Sequence, residues 1–175
     1  LAKTRTLVEA VTASMDGYDI AGSCNQILAF LDALTNWYIR RSRDRFWAPG
    51  TAAEGMAADK ADAYETLYTV LVTLLGVAAP LLPLLTEEMY GGLTDGSSIH
   101  LTDWPDAAAL PADPDLVARM DRVRAVCSAA LGLREDAGLR VRLPLARLTV
   151  AGATATGLDG LTDLDAKTFD DPNIL

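Results

Sequence analysis

The chain has 175 residues, half of them apolar, which is enough for a buried core and argues against a disordered chain. Its 24 acidic and 15 basic residues leave a net charge of −9, which speaks against an indiscriminate polyanion-binding coat. Cys24 and Cys127 lie far apart and His100 is the single histidine, excluding a disulfide framework or zinc finger; no apolar run approaches the ~20 residues of a spanning helix.

Residues 2–15 read as a first helix with Leu7, Val8, Val11 and Met15 on one side. Asp16-Gly17 is expected to close it, because glycine takes the left-handed conformation after a helix without strain. A longer helix is expected from Ile20 to Phe46 or Trp47. Ile20, Cys24, Ile27, Leu28, Leu31, Leu34 and Tyr38 recur at steps of three and four, and Pro49-Gly50 ends the run. Residues 48–58 form a small-residue loop. Asp59 is expected to cap the next helix, with Asp62 in its first turn. Tyr64, Leu67, Tyr68, Leu71, Leu74, Leu75 and Ala78 form its stripe, and Pro80 ends it.

Pro83 suits the first turn of a further helix over 84–90, stopped by Gly91-Gly92. Residues 96–111 read as an irregular connector. Asp113-Pro114 pairs a cap residue with a proline at the first helical position. Leu116, Met120, Val123, Cys127 and Leu131 carry the helical step to Arg134, and Gly138 stops it. Leu139, Val141, Leu143 and Leu145 then alternate with Arg140, Arg142 and Pro144, which reads as a strand, with Pro144 marking either an edge or a bulge and 148–151 as its continuation. Beyond Gly152 the sequence is mixed and weakly patterned, and the chain shows no internal repeat.

These elements describe a mainly α chain: an antiparallel helix bundle over 1–112, then a helix plus strand(s), a small α+β segment, over 113–175. Leu31, Leu34, Leu67, Leu71, Leu74, Leu85, Met120 and Val123 are the expected core, and both cysteines are expected to be buried thiols. The chain opens without methionine and closes on Pro172-Asn173-Ile174-Leu175, so an excised piece of a larger protein is expected.

Catalytic constellations are lacking. No Gly-rich phosphate loop joins a strand to a helix, and one histidine cannot complete a nucleophilic triad or a metal site. Glu87 and Glu88 point about 100° apart on a helix and are unsuited to shared acid–base work. His100 reads as a structural or surface residue.

One segment is distinctive. Only Lys3, Lys60 and Lys167 are lysines; the other basic residues are arginines, and Arg40, Arg41, Arg43 and Arg45 cluster among aromatics at the end of the long helix. On an α-helix Asn36, Arg40, Arg43 and Trp47 share one strip, Trp37, Arg41 and Arg45 the next, while Tyr38 and Ser42 turn inward. Guanidinium forks match phosphate oxygens, and aromatic faces take unstacked bases. The same residues could equally be tryptophan core caps and arginines ion-paired with Asp32, Asp44 or a neighbouring helix.

The run Leu34-Thr35-Asn36-Trp37-Tyr38-Ile39-Arg40-Arg41-Ser42-Arg43-Asp44-Arg45-Phe46-Trp47 closely resembles the signature helix in the anticodon-binding domain of isoleucyl-tRNA synthetases. Four further blocks resemble that family in its order: residues 63–68 leading into 75–80, the proline-started helix 83–90, the connector Ser98-Ile99-His100-Leu101-Thr102-Asp103-Trp104-Pro105, and residues 134–145. Leu143 stands where that family commonly has glutamine, and residues 151–175 match no motif.

The resemblance, which covers residues 1–150, implies a parent enzyme that attaches isoleucine to its tRNA in the cytoplasm, using ATP and Mg. A His-x-Gly-His type motif and a Lys-Met-Ser-Lys-Ser type loop do not occur in this sequence. The chain alone is therefore expected to be inactive and to hold no catalytic residue, metal or cofactor. The implied tRNA contacts are Asn36, Trp37, Arg40, Arg41, Arg43, Arg45 and Trp47, extended by Arg140 and Arg142. The implied partners are the anticodon stem–loop of isoleucine tRNA and the catalytic body of the same parent; no membrane partner is expected, and a monomer is the expected state, although the sequence itself leaves oligomeric state open. Two alternatives stand beside this: the same domain of a valyl- or leucyl-tRNA synthetase, and a helical module that docks another protein.

Overall fold

The computed structural model describes residues 1–50, 57–96, 98–144 and 148. Among the described residues there are six α-helices and no strand: α1 Ala2–Asp16, α2 Ile20–Asp32, α3 Arg43–Trp47, α4 Ala58–Ala78, α5 Pro83–Leu93 and α6 Pro114–Asp136. A π-helical stretch, Ala33–Ile39, follows α2, and 3-10 turns at Ile99–Leu101 and Ala107–Ala109 punctuate the connector after α5. The chain divides into two compact units between Ala112 and Asp113.

In the first unit α1 and α2 form a hairpin. Its reversal falls one residue later than expected. Gly17 keeps φ −86, and Tyr18 takes the left-handed conformation at φ 58. Tyr18 N–H then bonds Met15 O (3.0 Å) and Asp19 N–H bonds Ser14 O (2.8 Å), the paired bonds of a Schellman turn. Asp19 caps α2 by accepting from Gly22 N (2.8 Å).

The core joins Leu7, Val8 and Val11 of α1, Ile27 and Phe30 of α2, Leu34, and Val70, Leu74, Val77 and Ala78 of α4, closed by Leu110. Leu31, Leu67 and Leu71 pack against it half-buried. The inward face of α2 is Ser23–Ile27–Phe30, one residue round from the apolar stripe in the sequence. Ser23 is wholly buried and its hydroxyl bonds Asp19 O (2.9 Å). A hydroxyl that bonds its own helix can be buried there, and Ile20, Cys24 and Leu28 turn to solvent. Cys24 is thus an exposed thiol, against expectation, whereas Cys127 is buried.

α5 also departs from expectation. It continues through Gly91 and Gly92 to Leu93, and Thr94 Oγ1 bonds Tyr90 O (2.9 Å) at its end. Thr86 is its buried residue, with Tyr90 and Leu93 packed inward. Leu85, expected in the core, is 55% exposed, because α5 is apolar on several faces and Thr86–Tyr90–Leu93 is the one that packs. The connector is pinned back onto the bundle: Glu87 Oε2 accepts from Ser98 Oγ (2.9 Å) and Ile99 N (3.0 Å), and Trp104 Nε1 donates to Thr12 Oγ1 (2.9 Å). Pro105 lies so close to α4 that a Cβ on Gly76 would stand 2.7 Å from its Cγ.

In the second unit α6 starts as the sequence indicates, with Asp113 accepting from Leu116 N (2.9 Å) and Pro114 in the first turn. Val123 is buried and Met120 half-buried. Gly138, at φ 65, reverses the chain. Gly138 N–H bonds Glu135 O and Leu139 N–H bonds Arg134 O, both at 2.9 Å, a second Schellman turn. The expected strand is not formed over 139–144: the backbone turns, and the carbonyls that a strand would direct to a neighbour converge on Arg134. Leu145 and most of 148–151, part of that strand expectation, lie outside the described residues, as do 51–56 of the small-residue loop.

Candidate nucleic-acid interface

The arginine-rich segment is not the last part of one continuous α-helix. It begins in the π-helical turns Ala33–Ile39. Thr35 Oγ1 bonds Leu31 O (2.8 Å), so a hydroxyl competes for a carbonyl where the turn widens. Inward positions then recur every four residues: Leu34 and Ser42 are buried, with Tyr38 and Phe46 half-buried. Tyr38 donates to Ala63 O (3.2 Å), and Phe46 sits edge-on between Tyr38 (6.4 Å) and Tyr64 (5.1 Å between centroids). This aromatic row ties the segment to α4.

Ser42 and Tyr38 thus face in, and the basic strip faces out. Asn36, Arg40, Arg43 and Trp47 are all exposed, Trp47 to 79%. Asn36 Nδ2 donates to Asp32 Oδ1 (2.7 Å). No ion pair or hydrogen bond joins the side chains of Arg40 and Arg43 to any described residue. Of the two readings that composition left open, Trp47 is not a core cap and these two arginines are not neutralised among the described residues.

The adjacent strip is half-buried and internally engaged. Arg41 lies over the Trp37 ring, 4.8 Å from its centroid, which flattens both into one surface. Arg45 grips Asp59 through Nε (2.9 Å to each carboxylate oxygen) and Nη2 (2.8 Å to Oδ1, 3.1 Å to Asp59 O). The Asp59 hydrogen bond raises the Arg45 pKa above its ordinary value. Asp59, expected as the cap of α4, instead sits in its first turn as the partner of Arg45; Ala57 occupies the cap position. Lys60 donates to Ala48 O (2.7 Å) and Gly50 O (2.8 Å), fastening the end of α3 to α4.

Arg140 and Arg142 lie in the second unit, exposed on the turn after Gly138. Between Leu133 and Glu135, Arg134 is 6% exposed, and its Nη2 donates to the carbonyls of Arg140 (2.6 Å), Val141 (2.7 Å) and Leu143 (2.7 Å). The sequence reading missed this residue. An arginine in a last helical turn ordinarily signals only a favourable end charge, and the alternation of Leu139, Val141 and Leu143 spoke for a strand.

Residues 1–150 match the sequence pattern described as the anticodon-binding domain of tRNA ligase. The chain belongs to this family. Among curated relatives of this anticodon-binding domain, the isoleucine–tRNA ligase of Leifsonia xyli subsp. xyli is 59% identical over 174 residues, 99% of this chain and 15% of the relative. That of Nocardia farcinica is 50% identical over 166 residues, 95% of this chain and 15% of the relative. That of Corynebacterium efficiens is 56% identical over 151 residues, 86% of this chain and 14% of the relative. The chain thus spans about 15% of the length of the first two ligases.

Among the described residues no three His, Cys, Asp or Glu converge as metal ligands, and no helix is long and apolar enough to cross a membrane. His100 Nε2 lies 3.1 Å from Pro83 O and 3.9 Å from Glu87 Oε2, a structural placement at the start of α5.

Proposed function

We propose that this domain holds the anticodon stem–loop of isoleucine tRNA, within a parent ligase that attaches isoleucine to that tRNA. The carrying observation is the strip Arg40–Arg43–Trp47: two exposed guanidinium groups with no partner among the described residues, beside an exposed indole. Guanidinium groups bind phosphate oxygens in pairs, and an exposed indole accepts an unstacked loop base. Asn36 offers an amide to a base edge. Trp37 and Arg41 form a stacked shelf beside the strip. Arg45, already bound to Asp59, sets the pose of α3 and gives its remaining donors to the RNA backbone. Arg140 and Arg142 add two further phosphate contacts from the second unit.

ATP and magnesium serve the activation step of a tRNA ligase, which we assign to the remainder of the parent, since this chain matches about 15% of the length of its relatives. Leu82 at the N-cap of α5, with Leu85 and Met89 on the same face of the helix, is exposed, an apolar strip suited to packing against that catalytic body. The proposed setting is the cytoplasm, and the proposed state is a monomer.

A mobility-shift titration of isoleucine tRNA against a tRNA of different anticodon loop tests the reading. The expected result is a salt-sensitive shift that favours isoleucine tRNA. No shift, or equal shifts for both, refutes it.

A further inference from the structure

We propose that Arg134 is a positioning residue for RNA binding: its buried guanidinium gathers three carbonyls of the 140–143 turn and so sets the pose in which Arg140 and Arg142 meet the RNA backbone. This rests on the reading of those two arginines as phosphate contacts.

The geometry is specific. One nitrogen, Nη2, faces three carbonyl oxygens at 2.6–2.7 Å, although it carries only two hydrogens; at least one hydrogen is shared. Nε is buried and has no hydrogen-bond partner. No ion pair joins Arg134 to a carboxylate among the described residues, so the carbonyl dipoles are what compensate the buried charge. Such a group is poorly explained as a stabilising ion pair, because it has none. Its contacts all run to one short stretch of backbone, the stretch that carries Arg140 and Arg142. Gly138, at φ 65, supplies the reversal that brings the stretch back over α6, and Arg134 closes it. With the carbonyls drawn inward, the side chains of Arg140, Val141 and Arg142 stand exposed. An anchored turn presents its two charges already ordered, so binding does not have to order them.

The test is a double-mutant cycle on the full chain of 175 residues, read by binding to a transcript of isoleucine tRNA and by tryptic cleavage after Arg140 and Arg142. Arg140→Ala/Arg142→Ala should flatten the slope of log affinity against log salt by about 1–2 units. Arg134→Gln keeps both charges, yet should weaken binding at least ~3-fold and speed tryptic cleavage; in the triple variant affinity should fall no more than ~2-fold below Arg140→Ala/Arg142→Ala. Wild-type affinity in Arg134→Gln, or losses that multiply in the triple variant, overturns the positioning role. Unchanged affinity in Arg140→Ala/Arg142→Ala overturns the phosphate reading itself, an outcome told apart because cleavage of Arg134→Gln would still accelerate. If Arg134→Gln melts the helices by circular dichroism, Gly138→Ala, which opens the same turn from the backbone, takes its place in the cycle with the same expected coupling, and its absence refutes the proposal.

Discussion

Removing Arg40 and Arg43 together separates recognition from stability. Both side chains are exposed and joined to no described residue, so Arg40→Ala/Arg43→Ala should leave the melting transition within about 0.5 kcal/mol of wild type. The RNA side is different. Each phosphate contact contributes about 0.7–0.9 to the slope of log affinity against log salt, so losing two flattens it by about 1.4–1.8. Over a fourfold rise from about 50 to 200 mM salt, the unaltered chain should lose roughly 7- to 12-fold more affinity than the variant. Fluorescence anisotropy with a labelled anticodon stem–loop at several salt concentrations measures this. Equal slopes for the two proteins would refute the argument, and a large loss of stability would show that the arginines are structural after all.

Trp47→Ala should leave stability unchanged and weaken stem–loop binding by about 1–3 kcal/mol, the worth of one base stacked on an aromatic; Trp37→Ala should instead lower stability by about 0.5–1 kcal/mol through loss of the Arg41 contact, both read by paired melting and anisotropy. Arg45→Ala should cost about 1 kcal/mol or less, since Arg45 and Asp59 are 36% and 69% exposed, and chemical denaturation with and without added salt should show that cost shrinking as salt rises. Tyr18→Gly should raise the melting temperature by relieving a left-handed tyrosine, a gain of about 1 kcal/mol; an unchanged or lower transition would mean that the turn is not strained. Gly76→Ala should destabilise by about 1–3 kcal/mol as its new methyl meets Pro105, checked by thermal melting.

The parts of the fold legible in the sequence were those set by local chemistry. Asp113-Pro114 starts α6 and Gly138 ends it, because capping geometry depends on a few adjacent residues. The inward turn of Tyr38 and Ser42 followed from periodicity. What failed had tertiary causes. Ser23 took the inward position in place of Cys24, its hydroxyl satisfied within its own helix by Asp19 O, so apolarity alone did not choose the buried face. Leu85 was misplaced because α5 is apolar on several faces and only packing chooses among them. The 139–144 alternation looked like a strand, yet a single buried guanidinium claimed its carbonyls. At the candidate site, the outer strip Asn36–Arg40–Arg43–Trp47 could be grouped from spacing alone, but the π-turns beneath it and the Arg45–Asp59 pair could not, since both depend on what α4 presents.

The most direct measurement is ultraviolet cross-linking of isoleucine tRNA to the chain, with the joined peptides located by mass spectrometry. Cross-links from anticodon-loop nucleotides should fall within residues 36–47, with Trp47 foremost. Cross-links confined to α5 or to the 99–110 connector, with residues 36–47 untouched, would contradict the claim that the Arg40–Arg43–Trp47 strip holds the RNA.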